Sequence, residues 1–329
     1  MTSIGIIGEC MIELSRAEGH EGESGLYQRR YGGDTYNTAY YLSQCSMSQS
    51  SISRDSISQS SNKDITVNYV TALGDDEISD DMIATFAKAG VQTDLIEQIF
   101  GAVPGLYAIQ TDNQGERSFL YWRSEAPARR LFQTEGAENL KSALMKNDWI
   151  YFSGITLAIL FPKGRKELFD LCKKFQAQGG KVAFDINYRP RLWNDEQEAR
   201  DIINQAYKLC NLALPSYDDE ALLFGVNTPA AAMERIVNLG PNLGPDEIVL
   251  KNGSMEVSIY SEKAVQKLPV TPAENVKDTT SAGDSFNAGY IYARLMNKSA
   301  IEAVEIAGQL ARQVISQVGA IVPITPPTL

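Results

Sequence analysis

Residues 276–290, VKDTTSAGDSFNAGY, hold residue types that can do chemistry at close spacing. Ser281, Ala282 and Gly283 are small enough for a chain that turns tightly into a helix, and Asp284 falls in that helix's first turn. The first amides of a helix have no intrahelical partner and attract anions. A carboxylate set among them and pointed outward can act as a base beside a bound phosphate. The same four residues by themselves also fit an ordinary capped helix, with Asp284 there only to oppose the macrodipole.

Other polar clusters fall where strand-end loops are expected: GGDTYN at 32–37, YWRSE at 121–125, DINYRPRLW at 185–193 and PSYDDE at 215–220. In the first, the glycines would let backbone approach a ligand. Together with the Asp284 stretch they supply a base, two arginines (Arg123 and Arg189), tyrosines and an anion-binding helix start. That set suits transfer of a phosphoryl group to a hydroxyl, where positioning and charge neutralisation do most of the catalysis.

Positioning such a set takes a scaffold, and the hydrophobic pattern describes one. SIGIIGECMIEL reads as a first buried strand broken by Gly8, and GGDTYNTAYYLSQC as a turn entering a helix. Residues 43–64, of which ten are Ser, read as a mobile surface insertion between helix and strand. GLYAIQTDNQGERSFLYWR holds two β-forming runs around Asp112-Asn113-Gln114-Gly115, a hairpin signal. Strand and helix patterns then alternate from WIYFSG to VSIYS, which implies a parallel sheet with helices on both faces. Sites in such sheets lie beyond the carboxyl ends of the strands. The hairpin reads as part of a smaller β element covering that edge as a lid.

Composition removes several classes of function. The 329-residue chain carries a net charge of −11, which repels nucleic acid and anionic lipid. Cys10, Cys45, Cys172 and Cys210 have no metal-ligand spacing, and His20 is the only histidine. A zinc site or a histidine-based catalytic pair is therefore not expected, and His20 reads as a surface residue. No GxxxxGK[ST] loop and no full GxGxxG fingerprint occur. With no signal peptide or membrane span in view, a reduced, cytoplasmic protein is expected.

The chain resembles the ribokinase-like (PfkB) sugar kinases. DTTSAGDSFNAGY is similar to that family's C-terminal signature, usually DTxGAGD, and GGDTYNTA to its N-terminal Gly-Gly signature. Order and spacing match over nearly the whole chain, apart from the Ser-rich insertion. Within the family, GECMIEL, PGLY, YWRSEAPA and DINYRPRLW resemble the ketodeoxygluconate branch. The resemblance implies one kinase domain over residues 1–329, with a doubly wound, mostly parallel α/β sheet. It also implies a small β-sheet lid from roughly 10–33 and 98–125.

By the same resemblance, Asp284 would deprotonate the acceptor hydroxyl, and the backbone amides of Ala282 and Gly283 would form the anion hole, with Ser281 beside them. Gly33, Asp34 and Asn37 would line the sugar pocket, with Tyr107, Tyr121 and Arg123 reaching in from the lid. Arg189 would approach the carboxylate or the transferred phosphate. ATP would lie along Lys251 and Gly253, with Asn187 and the stretch before Asp284, and Mg2+ would bridge its phosphates. The family's Asn-x-x-Glu appears as Ser216-Tyr217-Asp218-Asp219, followed by Glu220. Asp219 would then touch the metal through water, with the choice among Asp218, Asp219 and Glu220 open. Asp278 would belong to a monovalent-cation (K+) site or be a structural strand-end residue. The first Gly of GAGD is Ser281 here, small enough to keep the anion hole. The implied reaction is ATP-dependent phosphorylation of 2-keto-3-deoxygluconate to its 6-phosphate. A fructokinase, a kinase of the galactonate epimer and a non-catalytic sugar sensor are the alternatives. The implied partners are a sugar acid, ATP and a second copy of the chain.

Overall fold

The computed structural model describes residues 2–16, 25–52, 65–111, 117–239 and 244–327. His20, residues 53–64 and the hairpin tip at Asp112–Gly115 lie outside the described residues. The strands are β1 (Thr2–Ile7), β2 (Met11–Arg16), β3 (Tyr27–Gly32), β4 (Ile65–Gly74), β5 (Ile96–Ile99), β6 (Leu106–Thr111) and β7 (Arg117–Trp122). They continue as β8 (Trp149–Ser153), β9 (Lys181–Asp185), β10 (Leu212–Ala213), β11 (Glu247–Asn252), β12 (Glu256–Ser261) and β13 (Ala264–Pro269).

The larger sheet runs β13-β12-β11-β10-β9-β8-β1-β4-β5. From β5 to β11 every pairing is parallel. Helices then cover both faces, so β1 is apolar on both. Ile4 and Ile6 enter one core cluster, and Ile7 enters the other. The last two strands depart from the alternating pattern, since β11-β12 and β12-β13 are antiparallel. Only residues 253–255 join β11 to β12, too few for a crossover but enough for a hairpin. Gly253 takes a φ of +52° there.

A second sheet, β3-β2-β6-β7, stands beside the first. SIGIIGECMIEL is thus two strands in two sheets, and Gly8 marks the passage between them. Close packing at this hinge explains its glycines. A Cβ on Gly8 would lie 2.2 Å from Thr35 Oγ1, and one on Gly33 would lie 2.2 Å from the Glu9 carbonyl oxygen. Gly33 therefore admits a neighbouring stretch of chain, where the sequence suggested approach to a ligand. The small sheet falls within the expected lid segments, except that residues 98 and 99 belong to β5 and the large sheet.

The Ser-rich stretch also begins later than expected. The helix Asp34–Ile52 runs through residues 43–52, and Ser43 and Cys45 are buried. Ser43 Oγ and Gln44 Nε2 both donate to the Ala89 carbonyl, and Ser46 Oγ accepts from Ile65 N–H. Serine content hid a helical stripe, Tyr41-Leu42-Cys45, that packs into the core. No helix among the described residues is long and apolar enough to cross a membrane.

Candidate active site

Between the two sheets, beyond the carboxyl ends of β9, β10 and β11, lies a cleft of about 2820 Å³. One end is roofed by the small sheet. The other runs between β12–β13 and the helix Ala300–Ile315. Its middle is the start of the helix Ala282–Leu295.

That helix begins at Ser281, which sits in the left-handed region at φ +64°. The backbone explains why the family motif favours glycine here, since a side chain at this φ costs about 1–2 kcal/mol. Ser281 does not cap the helix. Its hydroxyl donates instead to Asp284 Oδ2 at 3.0 Å, and Asn37 Nδ2 donates to the same oxygen at 2.8 Å. Among the described residues no hydrogen bond reaches Oδ1. Burial, then the charge of Asp34, pushes the Asp284 carboxyl up to about 7. A Cβ on Gly283 would meet nothing within 4 Å. Its missing side chain thus serves no internal packing and leaves the first helical amides open to the cleft.

Two networks hold this helix against the strand ends. Thr38 Oγ1 donates to the Asp284 carbonyl. One turn further on, Asn287 Nδ2 donates to Asp185 Oδ2 at 3.0 Å, and its Oδ1 accepts from Lys251 Nζ at 2.8 Å. Lys251 also lies 3.4 Å from Asp185 Oδ1. A cation from β11 is thereby fixed at the cleft beneath the helix start. Asp185 and Asn287 were not singled out from sequence, although both lie inside the motifs quoted there. Their importance comes from facing each other across 102 residues.

The sugar-side residues assemble as well. Asp34 accepts from Asn187 Nδ2 at 2.8 Å, and burial, with Asp185 nearby, raises its carboxyl above the usual range. Asn187, expected on the nucleotide side, lines the cleft through this bond to Asp34. Tyr107 and Tyr121 line the cleft, but the Tyr107 hydroxyl is committed to Glu13. Arg123 faces the cleft and is hydrogen-bonded to Glu9, a partner that sequence reasoning missed. Arg189 lies 3.4 Å from Asp219.

The acidic run after β10 now separates. Glu220 is fully buried and takes hydrogen bonds from Tyr207 at 2.7 Å and from Arg235 at 2.8 and 3.0 Å. It is a structural ion pair. Asp218 and Asp219 line the cleft, and Asp219 is held by Ser216 Oγ at 2.8 Å. Asp278 commits both oxygens to the protein, to Thr280 N–H and hydroxyl and to Gly319 N–H, and so ties two loops together. Among the described residues no group of three or more Asp, Glu, His or Cys is placed to hold a metal.

Comparison with known proteins gives the family and the fold. Residues 1–327 match the model of the pfkB family carbohydrate kinases. The 2-dehydro-3-deoxygluconokinase of Dickeya dadantii is 40% identical over 326 residues, covering 98% of this chain and 97% of the relative. The crystal structure of 2-dehydro-3-deoxygluconokinase from Thermotoga maritima superposes with a TM-score of 0.76 at 20% identity, over 98% and 97% of the two chains. A fructokinase with bound ATP from Xylella fastidiosa gives a TM-score of 0.75 at 20% identity, over 97% and 93%.

Proposed function

Because the chain belongs to the pfkB family of carbohydrate kinases, we propose that it phosphorylates 2-dehydro-3-deoxygluconate (2-keto-3-deoxygluconate) at its terminal hydroxyl, using ATP. The observation that carries this reading is Asp284. Its Oδ2 is held by Asn37 and Ser281 and its Oδ1 is unengaged, at a helix start whose amides face the same cleft.

The sugar lies under the small sheet against Gly33, Asp34 and Asn37, with Tyr121 and Arg123 above it. Asp284 Oδ1 takes the proton as the hydroxyl attacks the terminal phosphorus in line. The Ala282 and Gly283 amides receive the equatorial oxygens, where charge grows in the transition state. Lys251, oriented by Asp185 and Asn287, adds fixed positive charge at that point. Arg189 lies where the transferred phosphate leaves. The nucleotide follows Lys251 and Gly253 into the end formed by Val257, Leu268 and Gly308, an apolar, small-residue wall suited to a purine.

Magnesium would come with the triphosphate, and such an ion needs one or two protein carboxylates rather than a dedicated cage. Asp219, with Asp218 beside it, fits that requirement. When bound, the ion neutralises phosphate charge. The four free, buried cysteines accord with a reducing, cytoplasmic setting. The same reading pairs two copies through the small sheet, where Tyr27, Leu120 and Trp122 are exposed. A monomer by light scattering would remove that part.

The test is a coupled ADP-release assay with Mg-ATP on the ketodeoxygluconate, its galactonate epimer, fructose and ribose. Preference for the keto acids is expected, and Asp284→Asn should lower kcat at least about 10³-fold while ATP still binds. Preference for fructose would overturn the substrate, and normal turnover by Asp284→Asn would overturn the mechanism.

A further inference from the structure

A substrate carboxylate needs a positive charge that the protein has not already answered, and the cleft's arginines differ in this respect. Arg123 is paired with Glu9, with the two side chains only 10% and 2% exposed. Arg165 leaves Nε and Nη1 unpartnered, but its charge is met by Glu198 at 2.8 Å, and it lies over Trp193. Arg189 faces Asp219. Arg312 donates to the Thr271 carbonyl, and Arg191, without a carboxylate partner among the described residues, is exposed, which leaves Arg129, half-buried in the cleft wall. Among the described residues its guanidinium has no carboxylate or carbonyl partner, and its Nε is buried without a hydrogen bond.

The plane of Arg129 is nevertheless held. Its guanidinium carbon lies 5.0 Å from the centroid of the Phe161 ring, so the fork is oriented before any ligand arrives. Arg129 also lies close enough to Glu9 for its charge to act on that carboxylate, on which Arg123 closes. Arg123 and Arg129 together exceed Glu9 by one positive charge, with the Asp34 carboxyl also near that group. The Arg123 Nε is buried without a partner as well, so the orphaned N–H groups mark this pair of guanidinium groups rather than Arg129 alone.

We propose that Arg129 seats the carboxylate of the sugar-acid substrate and sets the preference for acids over neutral sugars. Glu9 assists by neutralising Arg123, so that Arg123 orients oxygens while Arg129 supplies the charge. This assignment rests on the sugar-acid reading above.

The experiment measures KM and kcat for 2-keto-3-deoxygluconate, its methyl ester and ATP in the wild type, Arg129→Gln and Arg129→Lys. Gln keeps part of the packing on Phe161 and removes the charge, and a Mg-ATP-induced rise in melting temperature verifies folding. Arg129→Gln should raise KM for the acid roughly thirtyfold or more. KM for ATP, KM for the ester and kcat should stay within about threefold. Arg129→Lys should recover most of the loss, as a charge-reading site requires. An acid-to-ester KM ratio unchanged in Arg129→Gln overturns the assignment while leaving the acid kinase intact. A wild type that prefers fructose to the acid overturns both.

Discussion

Asp284 sits where its own ionisation is opposed. Burial and Asp34 lift its carboxyl to about 7, while Asn37 and Ser281 pull the other way by donating to the ionised form. The base must be ionised to act, so log kcat/KM should climb with pH up to about 7 and then level. The stability sign is the reverse. A carboxyl raised above its unfolded value of 3.8 favours the fold below that pH, and the contribution is lost as pH rises through about 7. Asp284→Asn should therefore melt about 2–4 °C higher than wild type at pH 8, with the gap closing near pH 4. Ser281→Gly separates strain from chemistry. Relief of the left-handed φ should raise the melting temperature by about 1–2 °C. Loss of the hydroxyl should move the acid limb of the pH profile upward by about half a unit. A limb that stays in place would show that the Ser281 bond does not tune the base.

At the scale of elements, the helix that carries Asp284 is held by how closely its neighbours approach. Helix Ala282–Leu295 crosses Ala300–Ile315 at Gly289, where an added Cβ would fall 2.8 Å from Ala307 Cα. Backbone there cannot step aside as a side-chain tip can. Gly289→Ala should push the helices apart, destabilise the protein by about 1–3 kcal/mol and shift the amides that meet the phosphate. Thermal unfolding and kcat should fall together, and a variant of wild-type stability would mean that the crossing relaxes freely. Helix start and helix crossing are adjacent in sequence but differ in legibility. SAGD is a contiguous pattern, so its turn and charge could be read directly. Gly289 needs a partner helix to have a meaning.

For the whole molecule, two sheets joined at a glycine-lined hinge enclose one cleft, and the charge balance inside it differs from the acidic surface. The Ser-rich segment lies away from this logic. Ser46 bonds to Ile65, so any trimming has to start after Ile52. Deleting residues 53–61 should leave kcat/KM within about twofold, since a change in the length of a connecting segment costs little. Loss of activity in a folded deletion would assign that segment a role. Strand–helix alternation, the DTTSAGD helix start and the place of Asp284 in its first turn were legible in the chain alone, because each depends on near neighbours and local periodicity. Misplaced boundaries came where a local signal competed with packing, as when serine content masked the helical stripe through Cys45. Charge assignment was beyond the sequence. Arg123 and Arg189 stood in the most suggestive motifs, yet both are answered by carboxylates of the protein, Glu9 lying 114 residues from Arg123 and Asp219 30 residues from Arg189. Arg129, in no motif, keeps its charge. The sequence by itself determined the helix start and set the Asp284 carboxylate in its first turn. Tertiary structure alone decided which cation remains for a substrate, because ion pairing joins side chains that only folding brings together.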